Sequence, residues 1–180
     1  LFPYTTLFRS QKDKNPGIIG VVADIIKVEK KYETAIETAL GGSIQNIVTD
    51  NEQTAKRMIE FLKKNKFGRA TFLPLTQIRS HGGIAQPQAL KEAGVIGLAD
   101  TLVMVEDKYL ELAGSLLGRT LVVDHIDHGL AIARKYRQSI RIVTLEGDLI
   151  NPGGSMTGGA FKNSSNLLSR RREIEELEQA

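Results

Sequence analysis

The chain has 180 residues, 41% of them apolar and 25% charged, enough to bury one good-sized core or two small ones. No apolar run reaches the roughly 18 residues of a membrane span and nothing resembles a signal peptide, so a cytoplasmic protein with no membrane partner is expected. The lack of cysteine excludes a disulfide scaffold and thiol chemistry, and a net charge of +3 leaves any nucleic-acid contact to local clusters.

The opening segment, LFPYTTLFRS, has no helical period and leads into the polar QKDKNPG. It reads as foreign to the fold, like a sequencing remnant, with an edge strand at TTLF as the alternative. In VEKKYETAIETALGG, Val28, Tyr32, Ala35, Ile36, Ala39 and Leu40 recur at helical spacing, and Gly41 and Gly42 end the helix. SIQNIVTD then reads as a strand. Asp50 and Gln53 suggest a capping box for a helix over NEQTAKRMIEFLKKN, which buries Ala55, Met58, Ile59 and Leu62. FGRATFLPL gives a second strand ending at Pro74.

The order then repeats from Val105 to Gly147. Val28 and Tyr32 match Val105 and Tyr109, Leu40-Gly41 matches Leu117-Gly118, NIVTD matches LVVD, and RATFL matches RIVTL. Each half reads helix, strand, helix, strand, which predicts a duplicated unit in an α+β (mixed α/β) fold. Between the halves, TQIRSHGGIAQPQALKEAGVIGLAD reads as a connection with one short helix around Gln86 to Ala93. The expected boundaries are a lead-in at 1–16, a first subdomain at 17–76, the connection at 77–104 and a second subdomain at 105–161. The start of a coiled-coil arm follows at 162–180.

The run NPGGSMTGG, Asn151 to Gly159, invites three readings. As a phosphate loop it fails, because Gly159 and Ala160 stand where the lysine and hydroxyl of G-x-x-x-x-G-K-[ST] belong. As a nucleophile elbow, G-x-S-x-G, it has Gly153 before Ser155 but Thr157 in place of the second glycine. Close approach of another backbone, which glycine permits, and a plain surface loop both remain open on the residues alone.

The histidines are His81, His125 and His128. VVDHIDH gathers Asp124, His125, Asp127 and His128, but two histidines without a third ligand motif are a weak metal signal. The preferred reading is a helix start, with Asp124 as the cap and Asp127 at the positive end of the dipole, so no metal site is expected. An enzyme reading, a small α/β hydrolase or phosphate-binding enzyme, would use Ser155 with His125 or His128. Basic residues cluster at Lys63, Lys64, Lys66 and Arg69, and at Lys162, Arg170, Arg171 and Arg172. Such groups neutralise phosphates without reading sequence, and at a helix end they also complement the dipole. LLSRRREIEELEQA reads as an exposed helix, with Leu167, Ile174 and Leu177 on one seam and Arg171–Glu175 and Arg172–Glu176 paired along it.

Together, GRATFLPL, the run IRIVTLEGDLINPGGSMTGGA and the arginine-rich helix after it resemble the hinge domain of bacterial SMC (structural maintenance of chromosomes) proteins, from about Gly17 onward. The resemblance implies a non-enzymatic domain of two mixed α/β subdomains that joins two antiparallel coiled-coil arms and forms a ring-shaped homodimer. The first subdomain of each chain would meet the partner's second. It places Gly153, Gly154, Ser155, Gly158 and Gly159 at that interface. It also implies weak, sequence-independent DNA contact through Lys162 and Arg170, Arg171 and Arg172, with Lys63, Lys64 and Lys66 as further candidates. Relatives often carry several lysines after the glycines, whereas Asn163 and Ser164 follow Lys162 here, so lower DNA affinity is expected. ATP and magnesium would belong to the head domains of such proteins, so no cofactor is expected in this chain, and its place would be the nucleoid. A protein-interaction module without a DNA role is the remaining alternative.

Overall fold

The computed structural model describes residues 11–161 and 167–180, so LFPYTTLFRS and Lys162 lie outside the described residues. The first repeat runs β1 (Ile18–Val21), the short helix α1 (Val22–Ile25), β2 (Lys27–Val28), α2 (Glu33–Leu40), β3 (Ile47–Thr49), α3 (Glu52–Asn65) and β4 (Phe72–Pro74). The second runs β5 (Val95–Leu98), β6 (Val103–Met104), α4 (Leu110–Leu117), β7 (Thr120–Val123), α5 (Ile126–Lys135) and β8 (Arg141–Thr144). A hairpin, β9 (Leu149–Ile150) with β10 (Met156–Thr157), and helix α6 (Leu167–Gln179) follow.

Local chemistry sets most boundaries. Helix α2 stops at Gly41, whose φ of 55° takes the chain out of the helical path. Helix α3 begins at Asn51, not Asp50. The Asn51 side chain accepts the Thr54 N–H at 3.0 Å, while Asp50 Oδ1 takes the Asn51 N–H and the Thr54 hydroxyl. Along α3 the buried stripe is Thr54, Ala55, Met58 and Leu62, and Ile59 falls beside it at 41% exposed. The expected short helix in the connection is a 3-10 turn at Pro87–Lys91.

The connection also supplies a strand that its glycines concealed. β5 pairs antiparallel with β7, and its ladder shifts between Val95 and Gly97. β1 does the same beside β3, with the shift between Ile18 and Gly20. A constant spacing takes Gly17, Gly20, Val28 and Tyr32 to Gly94, Gly97, Val105 and Tyr109, so the repeat starts earlier than Val28. In each half the next pairing is parallel, β3 with β4 and β7 with β8. The parallel register sets Ile47 against Phe72 and Leu121 against Ile142. Phe72 is therefore the counterpart of Ile142, two residues off the match of RATFL with RIVTL.

The two larger sheets among the described residues are ordered β1-β3-β4 and β10-β9-β8-β7-β5. Between the halves β2 and β6 pair antiparallel, with Lys27 opposite Met104. These two residues occupy the same place in their repeats, so an approximate two-fold axis passes between them. One continuous core spans the halves, with α2 also packed on α4 and β8. It joins Ile26, Ile36, Ile44 and Val48 of the first half to Leu112, Leu117, Val122 and Val143 of the second, and takes in Leu168 of α6. A smaller core lies under α5, around Leu121, Val123, Ile132 and Ile142. Arg141 adds a polar tie, donating to the carbonyl of Ala39 at 2.9 Å and to the Thr120 hydroxyl at 3.0 Å.

Candidate dimer edge and basic surfaces

The glycine-rich run forms the β9–β10 hairpin. Its turn closes with the Gly154 N–H on the Asn151 carbonyl and the Asn151 N–H on the Ser155 carbonyl, both at 2.9 Å. The Asn151 amide donates to the Ser155 hydroxyl at 3.1 Å, and the Gly153 N–H donates to the Gln138 carbonyl at 2.8 Å. Since Asn151 bonds Ser155, antiparallel alternation makes Met156 and Ile150 a non-bonded pair. The backbone N–H and C=O of Met156 therefore point away from β9, along the outer edge of the five-stranded sheet. Its side chain is 50% exposed.

The glycines divide by role. A side chain begun at Gly153 or Gly159 would meet nothing within 4 Å, so these two border open space. At Gly158 it would lie 2.6 Å from Asp148 Oδ1, so that close approach is made within the chain. Gly154 lies in ordinary contact distance of Gln138. A second open edge belongs to the other sheet. Its last strand is β4, whereas the counterpart β8 is followed by β9 and β10. Among the described residues, the first repeat has no equivalent of that hairpin.

The hydrolase geometry does not form. β7 and β8 run parallel, with His125 just past the C-terminal end of β7. β9 returns antiparallel, placing Ile150 beside Ile142 and the Asn151–Ser155 turn at the N-terminal end of β8. Ser155 and the two histidines thus occupy opposite ends of the sheet, out of proton-transfer reach.

Helix α6 lies against α1 and α2. Leu168 enters the core at 3% exposed, and the Leu167 N–H bonds Glu37 Oε1 at 3.1 Å. Arg172 is engaged by the buried Glu33 and, at 2.7 Å, by Glu176, which hold its guanidinium above the usual range. Arg171 lies 3.6 Å from Asp24 and 3.8 Å from Glu175. Arg170 is exposed and, among the described residues, has no such carboxylate beside it. Ile174 and Leu177 continue the apolar seam at 45% and 77% exposed. Lys63, Lys64, Lys66 and Arg69 stand exposed together around the C-terminal end of α3, where Lys66 adopts a left-handed φ of 54°. The i,i+4 partners Glu175 and Glu176 were legible in sequence, whereas Asp24 and Glu33 were not, because they lie far away along the chain. The open β4 edge had a signal, since comparing the repeats shows two strands missing.

At the start of α5 the cap position is His125, with no side-chain cap bond. Asp124 instead accepts the His125 N–H at 2.7 Å and lies 2.7 Å from His128 Nδ1, and its carboxyl is held below the usual range chiefly by that imidazole. The two imidazole centres are 4.6 Å apart. Among the described residues no helix is long and apolar enough to cross a membrane.

Residues 15–133 match the model of the SMC proteins flexible hinge domain. Among curated proteins, the chain is 44% identical over 177 residues to the chromosome partition protein Smc of Desulfitobacterium hafniense, covering 96% of this chain and 15% of that protein. It is 46% identical over 169 residues to the same-named protein of Bacillus subtilis, covering 92% and 14%. Among solved structures, an asymmetric dimer of the Geobacillus stearothermophilus SMC hinge domain superposes with a TM-score of 0.86 at 38% identity, over 97% of this chain and 71% of that one. The Pyrococcus furiosus SMC hinge domain gives 0.68 at 29% identity, over 89% and 85%.

Proposed function

Because the chain belongs to the family of SMC flexible hinge domains, we propose that two copies join through the β9–β10 hairpin and that the pair contacts DNA by charge alone. The role is mechanical: the dimer holds two coiled-coil arms together within a chromosome-partition protein, acting at the nucleoid. The chain spans about one-seventh of the length of the curated relatives it matches, so partition itself belongs to the longer protein.

The observation that carries the reading is the outward N–H and C=O of Met156 on an exposed sheet edge bordered by Gly153 and Gly159. The partner edge is β4, the end of the sheet that stops short, so the first half of one copy meets the second half of the other. An edge left unpaired is a template for another strand.

Gly153, Gly154 and Gly159 have φ between 92° and 134°, so side chains there would strain the hairpin itself. Met156→Pro is the cleaner probe. It removes an N–H that β9 does not use and leaves the chain's own ladder intact. Sedimentation of the whole chain should give a dimer for the parent and a folded monomer for the variant. A parent that is monomeric across the micromolar range, or a variant still dimeric, overturns the proposal.

A further inference from the structure

The start of α5 is a second edition of the start of α3, and the two differ in a telling way. In the first half, the Asp50 N–H bonds the Gly17 carbonyl and its carboxylate holds the Thr54 hydroxyl at 2.6 Å, while Asn51 caps the helix. In the second, the Asp124 N–H bonds the Gly94 carbonyl, and the same carboxylate oxygen lies 2.7 Å from His128 Nδ1. His125 stands where Asn51 stands, and His128 where Thr54 stands.

The first edition shows what structure alone needs: an aspartate, a capping asparagine and a small hydroxyl. The second keeps the aspartate, gives up the side-chain cap and places two imidazoles there instead. Such a cap stabilises the helix start, so the exchange costs stability rather than adding it. A glycine precedes both sites, and a Cβ at Gly17 or Gly94 would lie 2.3 Å from Thr54 Oγ1 or His128 Nδ1, so only the side chains differ between the two.

We propose that Asp124, His125 and His128 form a binding site for a divalent transition cation of the zinc class. One donor atom from each lies within 4.8 Å of the other two, so small side-chain rotations bring all three onto one ion. Two imidazoles and a carboxylate are a donor set that suits zinc, and three protein ligands leave a position open to water or an added ligand. Asp127, with Oδ2 3.9 Å from His125 Nδ1, adds negative charge beside the positive end of the helix. The side chains are 38% to 50% exposed, so an ion reaches them without unfolding the chain.

The first repeat supplies the control. His125→Asn with His128→Thr installs the residues that already start α3, so the variant keeps the fold. The probe is zinc chloride in a non-chelating buffer, titrated calorimetrically into the whole chain, with cobalt absorption as the second readout. The parent should bind one equivalent per chain and the double variant none, with each single substitution weakening binding at least about tenfold. The dimer mass, followed in the same samples, should not change, so this result stands apart from the hairpin proposal. No saturable binding by the parent, or equal binding by the double variant, overturns the assignment.

Discussion

Glu37 occupies the point where α6 meets the rest of the molecule. Burial raises its carboxyl above the ordinary range and the like charge of Glu33 adds to this, against the bond from the Leu167 N–H. A carboxyl with a raised folded pKa holds its proton more tightly when folded. Its ionisation therefore costs stability as pH climbs from the unfolded pKa to the folded one. Glu37→Gln keeps an acceptor for Leu167 and removes the charge. The variant should melt higher than the parent near neutral pH, and the gap should close as pH falls below the carboxylate range. Thermal melts from about pH 4 to about pH 8 check both halves of that statement. A variant that melts lower near neutral pH and converges with the parent in acid would mean instead that the Glu37 charge stabilises the end of α6. At this scale the sequence was least informative. Arg171 and Arg172 show their helix partners Glu175 and Glu176 in sequence, yet the carboxylates that α1 and α2 add, Asp24 and Glu33, do not show there.

Elements were legible where a stripe of apolar residues is long enough to show a period. Helices α3 and α5 carry such stripes, and α2 shows one together with the two segments before it. The short strands carry no such signal. β2, β6, β9 and β10 have two residues each, and β1 and β5 are interrupted by Gly20 and Gly97, which shift their ladders. Comparing GIIGVV with GVIGLA would have revealed β1 and β5 together, because the glycines recur at the repeat spacing. Helix α6 shows what burial adds to propensity: a polar helix with one residue, Leu168, fully seated. Leu168→Ala should cost about 2–5 kcal/mol in urea unfolding. If α6 detaches without cooperative loss elsewhere, the cost will fall short of that range and helical signal will drop before the main transition.

At the scale of the whole molecule, charge is what sequence showed best, since exposed lysines need no partner to be counted. Lys63, Lys64, Lys66 and Arg69 form the basic group least occupied by carboxylates, so DNA contact should depend on them more than on Arg171 and Arg172. Removing the three lysines together should lower the slope of log affinity against log salt by about 2–3, whatever the DNA sequence. Titrations of a labelled duplex at several salt concentrations measure it, and an unchanged slope would move the contact elsewhere. The duplicated architecture was legible too, through the Tyr and Leu-Gly anchors. The continuity of the core across both halves was not, because it rests on long-range packing of α2 on α4 and β8, beside the two-residue pairing of β2 with β6.

Across an exact two-fold axis formed by two separate chains, a residue on the axis must face itself, and a lysine would have to face a lysine, which is unfavourable. Here both sides belong to one polypeptide, and Lys27 faces Met104 instead. Linking the halves releases them from identity. One side is then free to send its amine to Glu175, 3.3 Å away on α6, while the other stays apolar. A molecule built from a doubled pattern can in this way give its two faces different work.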